Sequence, residues 1–330
     1  MGVKLGDLVE KKNLKLEDLR GKKVAIDAFN VLYQFLASIR QQGGTPLMDS
    51  KGNVTSHLQG LFSRNINLME KGIKLVYVFD GKPPELKRKT AEIRTKAKEK
   101  AGEKYDQAAL DDDEESMAKY SRQMMKLNDQ MIEESKELLC AMGIPVIEAP
   151  SEAEAQCAYM CRKKDVYAVG SQDFDSLLFG APKLILNLTL AQKRRIIGGR
   201  HVIISPYMVE LNDLLEKLEV NQDELIMLGV MVGTDFNPKG LKGIGPKKGL
   251  KLLSKDPEEI FKEADFDWKE IFNIFKKIPI KKDYKLEFKE VDVEKVKEVL
   301  VAKHEFREER VENSLARINK KDEGLGKWLK

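Results

Sequence analysis

Residues 169–180, VGSQDFDSLLFG, set two aspartates, Asp173 and Asp175, one residue apart with no cation beside them. Carboxylates about 4 Å apart repel by roughly 4 kcal/mol at an effective dielectric near 20, so the pair needs a cation or must hold a proton. Comparable acids recur along the chain. Asp27 and Asp80 each close an apolar run, Glu152 and Glu154 follow Pro150, and Asp235 stands in a glycine-bearing turn. The histidines, His57, His201 and His304, are not paired at ligand spacing, which argues against zinc and against a histidine-activated nucleophile. Oxygen-only donors suit Mg²⁺ or Mn²⁺, hard cations that retain several waters. Two such cations would answer the repulsion at Asp173 and Asp175. They would still leave three of the seven negative charges uncompensated, so a phosphodiester would be drawn in only with further cations in attendance.

Three segments position these acids. KKVAIDAFNVLYQFL (22–36), IKLVYVFDGKPP (73–84) and VYAVGSQDFD (166–175) each read as an apolar strand closed by an aspartate. Strands apolar on both faces and separated by helical stretches predict a mostly parallel central sheet flanked by helices, an α/β fold. Such sheets bind ligands at the carboxyl ends of their strands, where Asp27, Asp80, Asp173 and Asp175 would sit. If 173–175 is extended, alternation carries both aspartates to one face. MGIPVIEAPSEAEAQCAYMCRK (142–163) predicts a short strand, a turn through Pro150, and a helix capped by Ser151 with Glu154 completing a capping box. Helix-start chemistry alone would account for Glu152 and Glu154. On a regular helix the two would diverge, unless its first turn is irregular.

KPPELKRKTAEIRTKAKEK (82–100) carries eight Lys or Arg against three Glu and has little apolar stripe, and DDDEE (111–115) follows it. Composition there fits a solvated surface helix. Lys87 and Arg94, two turns apart, share nearly one helical face close behind Asp80. From 223 to 260 the pattern is helix, glycine turn, helix. In GLKGIGPKKG (240–249) the third glycine falls one place late for a dinucleotide fingerprint. A tight turn opening a helix, with Gly243, Gly245, Lys242, Lys247 and Lys248, suits a nucleic-acid phosphate held by backbone N–H groups.

The chain's 330 residues, 42% hydrophobic and 34% charged, suit a soluble globular protein, and richness in Lys and Glu leans towards heat stability. The net charge of +4 requires any nucleic-acid contact to be a local basic surface. No segment approaches 18 uninterrupted apolar residues and the amino terminus lacks an uncharged core, so an intracellular protein without a membrane span is expected. Gly6 stands where a myristoylation signal would want Ser or Thr, which leaves Gly2 as a small exposed residue. Cys140, Cys157 and Cys161 are too few for a disulfide framework, and Cys157 and Cys161 read as small buried helix residues.

Taken together, VAIDAFNVLYQFL, VYVFDGKPPELK, GIPVIEAPSEAEAQCAYM, AVGSQDFDSLLFGAP and GTDFNPKGLKGIGPKK, in this order, closely resemble flap endonucleases, structure-specific 5′ nucleases. The resemblance spans nearly the whole chain, and the short carboxyl tail is similar to archaeal members. It implies a 5′ nuclease fold with a helical arch and a helix-two-turn-helix DNA-binding motif. It implies Asp27, Asp80, Glu152 and Glu154 around one Mg²⁺ and Asp173, Asp175 and Asp235 around another, with Mn²⁺ as a substitute. Lys87 and Arg94 match the cationic pair that contacts the scissile phosphate, residues 85–130 the arch that passes the 5′ strand, and Tyr33 an aromatic that stacks on a base near the cut. Gly243, Gly245, Lys247 and Lys248 match the turn that grips duplex DNA, where backbone carbonyls bind K⁺. A sliding-clamp peptide is implied at 322–330 through Leu325, Trp328 and Leu329, with Asp322 in place of the family's Gln and Leu329 in place of its second aromatic. The implied organisation is a nuclease region at 1–99, part of the arch linker at 100–116, a second nuclease region at 117–259 and a carboxyl-terminal region at 260–330. The implied activity is two-metal hydrolysis of 5′ flaps, with 5′–3′ exonuclease action, in Okazaki fragment maturation and long-patch base excision repair, by a cytoplasmic, nucleoid-associated monomer. A phosphatase using an aspartate nucleophile would lack the glycine turn and the basic arch, and a non-catalytic DNA-binding relative would have lost one of the seven acids.

Overall fold

In the computed structural model, residues 3–41, 44–111, 113–190, 193–195 and 201–325 are described. In chain order the strands are β1 Lys12–Asn13, β2 Lys23–Asp27, β3 Lys74–Phe79, β4 Val146–Glu148, β5 Ala168–Gly170, β6 Lys183–Leu186, β7 Lys193–Arg195, β8 His201–Ile203 and β9 Tyr207–Glu210. The helices are α1 Ala28–Ser38, α2 Ser56–Glu70, α3 Glu85–Leu110, α4 Glu114–Gln123, α5 Asp129–Ala141, α6 Ala153–Arg162 and α7 Asp175–Leu178. They continue with α8 Leu211–Leu218, α9 Gln222–Val232, α10 Pro246–Leu252, α11 Pro257–Ile260, α12 Trp268–Lys277, α13 Val293–Lys297 and α14 Glu308–Leu325.

Seven strands form one sheet in the order β1-β9-β6-β5-β2-β3-β4, and β7 pairs with β8 in a separate ribbon. The five from β6 to β4 are parallel, and β9 runs antiparallel to both β6 and β1. Val24–Ile26 of β2 and Leu75–Phe79 of β3 are buried because both of their faces are covered. Along β2 and β3, Ala25, Val76 and Val78 enter one hydrophobic core, while Val24, Ile26, Leu75, Tyr77 and Phe79 enter another on the opposite face. Tyr77 is wholly buried, and its hydroxyl donates to Asn65 Oδ1 at 2.8 Å, which satisfies its polar end. The predicted α/β architecture is therefore the observed one.

Two local predictions fail. The helix after Pro150 begins at Ala153 with Glu152 at its N-cap, and no side-chain capping bond is made there, so the Ser151–Glu154 capping box does not form. Asp80, arriving from another strand, accepts the Ala153 N–H at 2.6 Å and supplies that cap instead. The strand β5 ends at Gly170, and Asp175 opens α7, so the Asp173–Asp175 segment is a turn into a helix rather than an extended stretch.

The helices α3 and α4, consecutive in the chain, pack on one another. Arg40 ties α4 to the end of α1, donating to Ser121 Oγ at 2.7 Å and to the Gly44 carbonyl at 2.6 Å. After α12, residues 279–292 run as an irregular strap over the molecule. Gln156 bonds the Lys281 backbone in both directions, Tyr284 donates to Asp165, and Lys289 N–H donates to the Gly143 carbonyl. Then α14 lies along α2, with Arg317 donating to Asn67.

Candidate active site

Asp27 is both the last residue of β2 and the N-cap of α1, its Oδ1 accepting the Asn30 N–H at 3.1 Å. In the neighbouring strand Asp80 directly follows β3. Gly81 holds this strand end against the loop before α6. A Cβ there would lie 2.1 Å from the Ala149 carbonyl oxygen, and the Gly81 N–H donates to the Ser151 carbonyl at 2.7 Å. That contact brings Glu152 to Asp80. Glu152 is extended at the N-cap and Glu154 lies within the first turn; Glu152 faces Asp80 and Lys87, Glu154 faces Asp175 and Asp27, and Asp235 acts on both.

Asp173 Oδ2 accepts from Asn30 Nδ2 at 2.7 Å, and buried Asp175 accepts the Val3 N–H at 2.7 Å through Oδ1. Asp235 lies beyond α9 in a turn that Asn237 fixes by accepting from the Thr234 N–H and hydroxyl and donating to the Val230 carbonyl. Lys87, in the first turn of α3 and 20% exposed at its side chain, forms an ion pair with Glu152 and stands 3.8 Å from Asp235 Oδ2.

The carboxylates perturb one another. Burial, then Asp80, raises Asp27 well above the usual carboxylate range, and burial, then Asp175 and Asp27, does the same to Glu154. Asp80 and Glu152 are also raised by burial, with Lys87 opposing the rise in both. Asp175 is pushed up to about 7 by burial and by Asp235 and Asp173, against the Val3 hydrogen bond. Burial pulls the Lys87 ammonium down, but Glu152, Asp80 and Asp235 outweigh it and hold it well above its ordinary value. All seven acids picked out in the sequence therefore share one electrostatic neighbourhood.

This crowding fits divalent cations. Where buried oxygen donors must otherwise take up protons, a hard cation can take the place of those protons. Among the described residues no three such side chains stand together in an arrangement that would by itself hold a metal ion.

Other predicted residues take varied positions. Arg94 lies on α3 two turns beyond Lys87. Tyr33, on α1, is exposed, and the Lys98 ammonium lies 5.0 Å from its ring centroid. Most of the described side chains of α3 are exposed, as its composition suggests, but Lys87 faces the acids. Gly243 adopts φ +74°, open space surrounds the position a Cβ would take, and Gly245 caps α10. Lys247 and Lys248 are exposed on the first turn of α10, Lys248 donating to the Gly243 carbonyl at 3.3 Å. Gly249 packs on Leu228 of α9, so the turn is fixed to the preceding helix. Leu325 closes α14, whereas Trp328 and Leu329 lie outside the described residues.

Sequence reasoning missed three participants. Asn30 and Gly81 carried weak signals, a polar residue three after Asp27 and an Asp-Gly pair, and Val3 carried none. It also missed that His57 and His304 both face Glu134, at 3.8 and 3.3 Å, while Asp49 lies 3.3 Å from the other His304 nitrogen. None of the seven acids belongs to that group.

The chain is similar to known proteins over most of its length. The XPG N-terminal domain family matches residues 1–101 and the XPG I-region family residues 143–235. Flap endonuclease 1 of Pyrococcus horikoshii is 52% identical over 324 residues, covering 97% of this chain and 94% of that protein. The Pyrococcus furiosus flap endonuclease 1 is 49% identical over 339 aligned positions, covering the whole of both chains. The solved flap endonuclease-1 of Methanococcus jannaschii superposes with a TM-score of 0.78 at 42% identity, covering 96% of this chain and 98% of that one.

Proposed function

The chain belongs to the flap endonuclease family of structure-specific 5′ nucleases, and on that premise we propose that its acidic cluster hydrolyses phosphodiesters with two divalent cations. The observation that supports this most is the convergence of seven carboxylates from separate elements, with Lys87 in their midst. Asp27, Asp80, Glu152 and Glu154 hold one Mg²⁺, and Asp173, Asp175 and Asp235 the other, with Mn²⁺ able to substitute. When bound, the cations activate the attacking water and offset charge on the leaving 3′ oxygen.

The chain's own groups do the rest. Lys87 sits between Glu152 and Asp235, where it offsets charge that builds on the phosphate oxygens, and Arg94 joins it from the same helix. Tyr33 presents an exposed ring on which a base beside the cut stacks, and Lys98 yields that face when DNA arrives. The α3–α4 pair, within residues 85–130, forms the arch over the 5′ strand. Gly243, Gly245, Lys247 and Lys248 hold a duplex phosphate, with K⁺ on the backbone carbonyls of the turn.

The product is a 5′-phosphorylated strand beside a ligatable nick. The biological setting is Okazaki fragment maturation and long-patch base excision repair, carried out by a monomer in a nucleoid-bearing cytoplasm with some 5′–3′ exonuclease action. A sliding clamp docks on 322–330 through Leu325, Trp328 and Leu329. Cleavage of a 5′-labelled double-flap DNA, in Mg²⁺ and in EDTA, beside single-stranded and blunt duplex controls, tests the reading. Metal-dependent release of a discrete flap product in preference to both controls is expected, whereas tight binding without cleavage in every metal would overturn it.

A further inference from the structure

We infer that Asn30 is a positioning residue that fixes the Asp27 side of the acidic site relative to the Asp173 side. The inference rests on the two-cation reading above and extends it to a residue outside the seven acids. Asn30 sits in the first turn of α1, and three of its polar groups are engaged at once. Its backbone N–H donates to Asp27 Oδ1 at 3.1 Å, Nδ2 donates to Asp173 Oδ2 at 2.7 Å, and Oδ1 accepts the Gln172 N–H at 3.2 Å.

The last contact settles the orientation of the amide. An N–H facing Oδ1 requires an acceptor, so the NH₂ group must be the one turned to Asp173. A carboxylate in that orientation would set a third acid against Asp27 and Asp173, and an aliphatic side chain would leave the Gln172 N–H without its acceptor. The amide also sets a spacing. Asp27 ends β2 and Asp173 follows β5, and those strands are paired only from Val24 to Ile26 against Ala168 to Gly170. Beyond Gly170 the chain no longer pairs with β2, its last backbone bond to the sheet running from the Ser171 N–H to the Ile185 carbonyl at 3.3 Å, and the Asn30 amide spans the gap at the point where the acids stand. Partners that orient metal ligands typically account for about 10–100-fold in metal affinity or activity.

The test uses the full-length chain, with Asn30→Ala and the near-isosteric Asn30→Leu. Mg²⁺ binding is followed by titration calorimetry, flap-DNA binding in EDTA by anisotropy, and the cleavage rate in single turnover. Expected are Mg²⁺ affinity and cleavage rate both about tenfold or more lower, with the DNA Kd in EDTA unchanged. Mg²⁺ affinity and rate within twofold of wild type in either folded variant would overturn the inference, as would loss of the folded circular dichroism signal in both. An Asp27→Asn control separates the two levels of the reading. If that variant binds Mg²⁺ and cuts like wild type, the two-cation assignment fails. If it is impaired while the Asn30 variants are not, only the role of Asn30 fails.

Discussion

The Lys87 ammonium pairs with Glu152 at the start of α6 and stands 3.8 Å from Asp235, so one side chain of α3 faces acids from two separate parts of the chain. Removing it leaves buried carboxylates without that partner. Lys87→Ala is expected to slow single-turnover flap cleavage by about 10²–10³-fold. It should also lower the melting temperature more in EDTA than in Mg²⁺, because the cations can neutralise the same acids. Thermal melts and quenched-flow cleavage on one preparation check both effects; an unchanged rate would remove Lys87 from the chemistry.

The carboxyl of Asp175 gives a pH signature. Its folded pKa is about 7 against an ordinary 3.8, so the folded state binds a proton that the unfolded state has released. The stability linked to that proton is present below pH about 4 and is lost as pH rises through about 7. Asp175→Asn keeps an acceptor for the Val3 N–H and cannot ionise. In EDTA, the melting temperature of the variant relative to wild type should climb across that window, and Mg²⁺ should reduce the difference at high pH. A difference independent of pH would contradict the assignment.

Gly81 is required by proximity. A methyl group there meets the Ala149 carbonyl oxygen at 2.1 Å and pushes apart the strand end and the loop that join Asp80 to Glu152. Gly81→Ala should lose about 1–3 kcal/mol in urea unfolding, as overpacked sites do. It should also weaken Mg²⁺ binding, and unchanged unfolding would show that the loop gives way freely.

On the glycine turn, Lys247→Ala and Lys248→Ala should weaken DNA binding without altering cleavage of bound substrate. The slope of log affinity against log salt should fall by about 0.9 for each phosphate that is no longer neutralised. Binding titrations at several salt concentrations give that slope; an unchanged slope would take these lysines off the DNA.

The acids were legible where local sequence determines position. Asp27 and Asp80 close strands whose apolar runs have only one place in a parallel sheet. Pairings between distant elements were not legible. Ser151 and Glu154 form a sound local capping pattern, but Asp80 reaches the same helix end from 73 residues away and takes the capping role. The extended reading of Asp173 and Asp175 failed because β5 stops at Gly170. Lys87 was masked by a helix whose overall composition is that of a solvated surface, and its pairing with Glu152 follows from its place in the first turn. The Val3 bond to Asp175 left no trace in either neighbourhood.

The most direct test titrates Mg²⁺ calorimetrically into wild type and Asp175→Asn and measures single-turnover cleavage of a double-flap DNA on the same preparations. Two binding events are expected in wild type, one of them abolished or severely weakened in the variant, together with a cleavage rate lower by about 100-fold or more. An Asp175→Asn protein that binds both cations and cuts at the wild-type rate would contradict the two-cation site.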